Sequence, residues 1–191
     1  LHDTVRRQRQ MCIRDRYPVL AGLHGARVYD VEMTDDWCPP DDFAARMNEA
    51  GVKLTFVVNP HAPSGHLLSR EDILALADAL DGILFLDEAY ADFVAPEVGY
   101  SAVSLVDEVD NLLILRTLSK GYSLAGLRFG YGIGSLGLIE PMQSKTKDSY
   151  NTDGLGQALA TAAIEDQDYA RDTWRRAVSY THLRAHETES N

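Results

Sequence analysis

The chain has 191 residues, 45% of them hydrophobic and 25% charged, which is the composition of an ordinary globular protein. Its net charge of −11 argues against the basic face that binds nucleic acids or anionic membranes, and no apolar run approaches the roughly 18 residues of a membrane span. With no recognisable secretory signal, and with only Cys12 and Cys38 as cysteines, we expect a cytoplasmic protein that binds neither nucleic acid nor membrane.

The two ends of the chain differ from its middle. Residues 1–16 (LHDTVRRQRQMCIRDR) and residues 178–191 (VSYTHLRAHETESN) are polar and lack a hydrophobic period. Both resemble translated sequencing-adapter sequence, in the strings MCIRDR and SYTHLRAHE. The alternative is a disordered basic arm and a disordered polar tail. We expect non-native flanks around a partial domain at residues 17–177.

Strand and helix patterns begin to alternate after residue 25. Residues 26–31 (ARVYDV) have a strand pattern, and residues 40–50 (PDDFAARMNEA) predict a helix. One face of that helix would carry Phe43, Met47 and Ala50. Residues 53–58 (KLTFVV) form a continuous apolar run, which is typical of a strand buried on both faces.

The alternation continues through the rest of the chain. A pattern resembling a capping box opens a helix at Ser69, whose apolar face holds Ile73, Leu76, Ala77 and Leu80. Three further strands are predicted at residues 82–86, 112–115 and 128–133. Two further helices are predicted at residues 136–147 and 154–177. This order predicts an α/β fold, with three α/β/α layers around a mostly parallel sheet.

Polar and charged side chains follow the ends of the predicted strands. In chain order they are Asn59, Asp87, Tyr90, Thr117, Ser119, Lys120 and Arg128. In open α/β sheets, ligands bind beyond the carboxyl ends of the strands. We therefore expect an amide, a carboxylate, a phenol, two hydroxyls, an amine and a guanidinium to converge on one crevice.

This set of groups suits one cofactor. A lysine among apolar neighbours, here Lys120, can lose its proton and form a Schiff base. Arg128 and the two hydroxyls before the lysine supply donors for a phosphate. Asp87 can hold a cationic ring nitrogen, and Tyr90 and Asn59 can hydrogen-bond a phenolate oxygen. Together these groups describe a site for pyridoxal 5'-phosphate (PLP).

Three motifs carry a family resemblance. NPHAPSG (59–65), DEAY (87–90) and SK followed by an arginine eight residues after the lysine resemble the motifs of fold-type-I PLP-dependent aminotransferases, in that order and at family-like spacing. The longer strings LDEAYADF, SKGYSLAGLRFGYGIG and KDSYN resemble histidinol-phosphate aminotransferases in particular. The resemblance covers about residues 17–177 and implies an incomplete PLP-binding large domain.

The resemblance also implies roles for the site residues. Lys120 would be the Schiff-base lysine and proton shuttle, and Asp87 would pair with the pyridine nitrogen. The ring oxygen would be held by Tyr90 and Asn59. The phosphate would be bound by Thr117, Ser119 and Arg128.

The implied reaction converts L-histidinol phosphate and 2-oxoglutarate into imidazole acetol phosphate and L-glutamate, in histidine biosynthesis, with the full-length parent as a homodimer. The family's glycine-containing phosphate loop and its C-terminal small domain fall outside residues 17–177. Three alternatives remain open: an aromatic or broad-specificity aminotransferase, an amino-acid-phosphate decarboxylase of the same fold, and a truncated chain without catalysis.

Other motifs give weaker signals. Residues 132–137 fit the G-x-G-x-x-G dinucleotide fingerprint, but no strand ending in an acidic residue follows at the expected distance. His61 and His66 lack metal-ligand spacing, so no metal site is expected. Cys38 has no base nearby in the sequence, which disfavours a catalytic thiol. Tyr150 and Asn151 lie in a family-like segment but receive no role.

Overall fold

Six α-helices and four strands make up the part of the chain that this computed structural model describes, residues 16–146 and 152–188. The helices are α1 (Arg16–Leu23), α2 (Phe43–Glu49), α3 (Arg70–Ala79), α4 (Leu136–Lys145), α5 (Gly154–Glu165) and α6 (Gln167–Thr188). The strands are β1 (Leu54–Val58), β2 (Ile83–Asp87), β3 (Leu112–Thr117) and β4 (Gly130–Gly134). Short 3-10 helices occur between strands, among them Ala91–Phe93 and Val103–Asp107.

The strands form one sheet in the order β1-β2-β3-β4. The first three are parallel, and β4 runs antiparallel to β3. In the register, Val58 lies opposite Asp87, and Asp87 lies opposite Leu115. The carboxyl ends of β1, β2 and β3 therefore meet at one edge of the sheet. The predicted α/β fold with a mostly parallel sheet is confirmed.

One face of the sheet carries the hydrophobic core. Leu84 and Leu86 of β2 and Ile114 of β3 are fully buried against α2 and α3. Helix α3 starts with the predicted capping box, in which Ser69 and Asp72 bond each other's backbone amides, and it buries Ile73 and Ala77 as predicted. Each large aliphatic side chain buried here stabilises the fold by roughly 1.5–3 kcal/mol.

The opposite face of the sheet is covered more thinly. Tyr17 of α1 stacks on Phe56 of β1, with ring centroids 4.3 Å apart, and meets Phe85 of β2 edge-on. Phe56 nevertheless remains 39% exposed. At the far edge, α4 packs against β4, where a Cβ placed on Gly134 would lie 3.7 Å from Ile139.

Several predicted element boundaries were wrong. Residues 26–31 form no strand, and Val28 and Tyr29 are 49% and 53% exposed, because no described strand lies beside them to pair with their backbone. The strand predicted at 128–133 begins only at Gly130, because Arg128 has φ of 57°, a left-handed value that β-structure does not accept. Ala50, expected on the buried face of α2, is exposed just beyond its end.

The C-terminal helices also differ from the prediction. The helix expected at 136–147 ends at Lys145. The single helix expected at 154–177 is broken at Asp166, whose side chain accepts the amide of Tyr169 and so caps the start of α6. Helix α6 runs to Thr188 and so continues past residue 178, where the non-native flank was predicted to begin. That flank boundary stays a prediction. Tyr150 and Asn151 lie outside the described residues, and within those residues no helix is both long and apolar enough to cross a membrane.

Candidate functional site

The buried carboxylate of Asp87 lies where the three parallel strands end. It is 3% exposed and closes β2. Its Oδ1 accepts the amide of Ala89 at 3.1 Å, and its Oδ2 accepts the hydroxyl of Tyr17 at 3.0 Å. A carboxylate held this way, in a nearly dry position, can accept a hydrogen bond from the N–H of a cationic ring.

Asn59 follows β1 directly and is fully buried. Its amide nitrogen donates to the hydroxyl of Tyr100 at 2.8 Å and, at 3.4 Å, to the carbonyl of Leu68. Its Oδ1 accepts the amide of Leu68 at 2.8 Å. In this structure the Asn59 side chain therefore closes the loop between β1 and α3, and its predicted contact with a ring oxygen stays a prediction.

Lys120 follows β3 and lies beside Tyr90. Its Nζ is 5.3 Å from the centroid of the Tyr90 ring, and both side chains are half-buried. The Lys120 carbonyl accepts the amide of Ser123 at 3.0 Å, which holds the lysine in a tight turn. The structure thus brings together the predicted amine and the predicted phenol.

The residues predicted to bind phosphate lie at the end of β3 and in the loop that follows it. The hydroxyl of Thr117 accepts the amide of Ser119 at 3.1 Å and donates to the carbonyl of Phe129 at 3.2 Å. Arg128 is exposed, and its Nη1 donates to the carbonyl of Ala125 at 2.9 Å. The two hydroxyl-bearing residues are therefore neighbours of Lys120, whereas the guanidinium is held on its own turn.

The turn after Lys120 rests on residues that the sequence analysis did not single out. A Cβ added to Gly121 would lie 2.6 Å from Cβ of Asp92. The carbonyl of Gly121 accepts Nε1–H of Trp174 at 2.7 Å, and the Trp174 ring meets Tyr122 edge-on. Helix α6 thus anchors the lysine-bearing turn through the carbonyl of Gly121.

A buried ion pair lies next to Asp87. The Glu88 carboxylate is fully buried, and its Oε2 accepts Nε and Nη2 of Arg116, each at 2.8 Å. Its Oε1 accepts the hydroxyl of Tyr100 at 2.6 Å. The sequence signal was the acidic pair Asp87-Glu88 after a buried strand, but only the first carboxylate was assigned a role.

The ionisation of the neighbouring groups reflects this burial. Burial, followed by the negative charge of Glu88, raises the pKa of Tyr100 well above its ordinary range. Burial lowers the pKa of Arg116, but the charge and hydrogen bond of Glu88 outweigh it, so the pKa is raised on balance. Burial also raises the pKa of Asp92 and of Tyr131, against the opposing charge of Arg116.

Two further motifs are placed differently from what their sequence suggested. The G-x-G-x-x-G match begins on β4, which is antiparallel to β3, whereas the dinucleotide fingerprint belongs to a parallel βαβ unit. The sulfur of Cys38 lies 3.3 Å from Nε2 of His66, 28 residues away, so a base does approach this thiol in space.

The chain resembles proteins of known function. Residues 15–187 match the family model described as aminotransferase class I and II. The chain is 40% identical over 153 residues to histidinol-phosphate aminotransferase 1 of Trichormus variabilis, which is 80% of this chain and 41% of that protein. It is 43% identical over 160 residues to histidinol-phosphate aminotransferase of Geotalea uraniireducens, covering 84% and 44% of the two chains.

Solved structures show the same likeness. The histidinol-phosphate aminotransferase from Sinorhizobium meliloti, in complex with pyridoxal-5'-phosphate, superimposes with a TM-score of 0.78 at 29% identity, over 86% of this chain and 45% of that one. A decarboxylase from Sulfurospirillum multivorans, at 22% identity and a TM-score of 0.70, shares the fold. The chain spans less than half the length of these relatives.

Proposed function

Because the chain belongs to the class I and II aminotransferase family, we propose that it carries the PLP-binding and proton-transferring part of a histidinol-phosphate aminotransferase. The observation that carries this proposal is the placing of Asp87, Tyr90 and Lys120 at the adjoining carboxyl ends of β2 and β3. Such an arrangement puts an acid, a phenol and an amine at the edge where α/β sheets bind ligands.

The groups present fit PLP. The buried Asp87 carboxylate suits a cationic ring nitrogen, because a nearly dry carboxylate needs a charged or hydrogen-bonding partner. Thr117 and Ser119 present hydroxyl groups beside Lys120, and Arg128 supplies the guanidinium for the phosphate. Tyr90 would hydrogen-bond the ring oxygen, with Asn59 as the second candidate. When bound, PLP supplies an electron sink for the substrate carbanion.

The side chains divide the remaining work. Nζ of Lys120 would attach the cofactor and, once released by the substrate amine, take the proton from the substrate Cα and deliver it again as an acid. Asp87 would keep the ring nitrogen protonated, since its own charge is held by the Ala89 amide. Tyr90 lies under Nζ of Lys120 and would restrict the path of that amine.

The proposed amino donor is L-histidinol phosphate, as the names of the curated relatives suggest. The proposed amino acceptor is 2-oxoglutarate, as the resemblance in sequence motifs implies. A homodimer is proposed for the full-length parent. The test is a single-turnover reaction of the PLP-loaded chain with L-histidinol phosphate, L-phenylalanine or L-aspartate, followed by mass spectrometry of the products. We expect the keto product to form fastest from L-histidinol phosphate and not at all in Lys120→Ala. Faster conversion of another amine, or loss of carbon dioxide, would contradict the proposed substrate.

A further inference from the structure

We propose that Glu88 is a positioning residue, which clamps the ends of three strands and so fixes Asp87 and the Lys120 turn for the cofactor. This inference rests on the proposed function. Glu88 is a buried carboxylate for which the proposed chemistry has no direct use, and both its oxygens bind Arg116 or Tyr100. A fully buried charge is costly unless it is paired and hydrogen-bonded, so the partners of Glu88 must hold fixed positions around it.

Glu88 is connected by hydrogen bonds to the carboxyl ends of all three parallel strands, β1, β2 and β3. It follows β2 itself, its Oε2 binds Arg116 of β3, and its Oε1 binds the hydroxyl of Tyr100. That hydroxyl in turn accepts the amide of Asn59, which follows β1. One carboxylate therefore connects β1, β2 and β3 through side chains, beyond their backbone ladder.

The connected residues lie beside the predicted site residues in the sequence. Glu88 follows Asp87, and Arg116 precedes Thr117. Successive side chains of a strand point to opposite faces, so Glu88 and Arg116 lie on the core side, with Leu86 and Ile114, whereas Asp87 and Thr117 lie on the other side. A shift of the clamp would consequently move the backbone from which Asp87 and Thr117 project.

The clamp also approaches the lysine turn. Arg116 acts on Asp92 through its charge, and Asp92 packs directly on Gly121, the residue after Lys120. Arg116 also lies opposite Tyr131 of β4 in the register, and its charge acts on the Tyr131 hydroxyl. The planar guanidinium, which binds Glu88 through two nitrogens, fixes direction as well as distance. Buried ion pairs are weak sources of stability, and orientation is therefore the better account of this one.

Two variants test the clamp. Glu88→Gln keeps the shape but removes the charge that faces Arg116. Tyr100→Phe removes only the hydroxyl between Asn59 and Glu88, and it leaves the Glu88–Arg116 pair intact. It therefore decides the question if Glu88→Gln does not fold. Tyr169→Phe is the matched control, because Tyr169 is 71% exposed.

Two readouts are needed, one without cofactor. The first readout is hydrogen exchange of the Ala89 amide, which bonds the Asp87 carboxylate, in the cofactor-free chain. The reference is the amide of Leu84, which bonds Asn111 at the other end of β2. In Glu88→Gln and Tyr100→Phe, we expect the Ala89 exchange rate to rise about tenfold relative to that of Leu84. In the folded variants, we expect the PLP dissociation constant to rise about tenfold, the equivalent of one ordinary hydrogen bond. Tyr169→Phe should change neither quantity.

The outcomes separate this inference from the proposed function. If wild-type chain binds PLP at Lys120, an unchanged Ala89-to-Leu84 exchange ratio or an unchanged PLP dissociation constant in the folded variants overturns the positioning role. A purely structural Glu88 would give that result together with a lower free energy of unfolding. If wild-type chain binds no PLP at Lys120, the proposed function fails, and the exchange ratio alone decides whether Glu88 fixes the Asp87 turn.

Discussion

The hydroxyl of Tyr17 lies 3.0 Å from Oδ2 of Asp87, and it donates a hydrogen bond to the carboxylate that is proposed to hold the cofactor's ring nitrogen. The Tyr17 ring is fixed by stacking on Phe56. In this structure, therefore, one oxygen of the Asp87 carboxylate is already hydrogen-bonded to a residue of α1.

We predict that Tyr17→Phe binds PLP more tightly than the wild-type chain, by about threefold to tenfold, because Asp87 would no longer have to exchange one hydrogen bond for another. The phenyl ring keeps the stacking on Phe56. Titration of the variant with PLP, followed by visible absorbance, measures the change. Weaker binding would show instead that the Tyr17 hydroxyl assists the cofactor.

Gly121→Ala should destabilise the chain by about 1–3 kcal/mol, the usual cost of overpacking. The new Cβ would lie 2.6 Å from Cβ of Asp92, and the Gly121 backbone cannot easily shift because its carbonyl accepts a hydrogen bond from Trp174. Gly126→Ala is the control in the same loop, because a Cβ there meets nothing within 4 Å. Urea unfolding of both variants tests this, and equal losses would mean that the contact with Asp92 does not matter.

Thr55→Val should stabilise the chain by up to about 1 kcal/mol. Thr55 is buried in β1, and its hydroxyl has no hydrogen-bond partner among the described residues. Thr34→Val should have the opposite effect, because the Thr34 hydroxyl bonds both the amide and the carbonyl of Cys38. Thermal unfolding of the two variants gives the comparison. A loss of stability in Thr55→Val would indicate that its hydroxyl is satisfied in solution.

The free energy of unfolding should fall as the pH rises above about 10, the ordinary tyrosine value. The pKa of Tyr100 and of Tyr131 is raised in the folded chain, by burial first. In that pH range the folded state keeps protons that the unfolded state has lost, so increasing pH favours unfolding. Urea unfolding across this range should show a smaller fall for Tyr100→Phe. An identical slope would contradict the raised pKa of Tyr100.

Much of the fold could be predicted from local patterns. The continuous apolar runs predicted β1, β2 and β3 as strands, and the Ser69 cap is a short-range signal. The predicted burial of β1 on both faces was wrong, because Leu54 and Phe56 lie on the thinly covered face and remain 42% and 39% exposed. The strand predicted at residues 26–31 was wrong, because a strand needs a neighbouring strand to pair with as well as a suitable sequence. The break at Asp166 was missed, because an aspartate within a helical pattern is also a good cap.

The site could be predicted only in part, because some of its contacts join residues that are far apart in the sequence. Asp87 ends β2, and Tyr90 and Lys120 follow β2 and β3. The meeting of parallel strand ends at one edge of a sheet is a general rule. The Tyr17 hydroxyl reaches Asp87 from 70 residues away, and Trp174 reaches Gly121 from 53 residues away. No spacing along the chain encodes such contacts. The acidic pair Asp87-Glu88 is visible in the sequence, but only the packing of β3 beside β2 shows that Arg116 is the partner of Glu88.

The most direct test of the central proposal is covalent attachment of PLP at Lys120. The wild-type chain, Lys120→Ala and, as the control, Lys53→Ala at an exposed position would each be mixed with PLP, reduced with borohydride and mapped by mass spectrometry. We predict a visible absorption band and a single stable adduct on Lys120 in the wild type and in Lys53→Ala, and neither in Lys120→Ala. An adduct of equal yield in Lys120→Ala, or no adduct in a folded wild-type chain, would contradict the proposal.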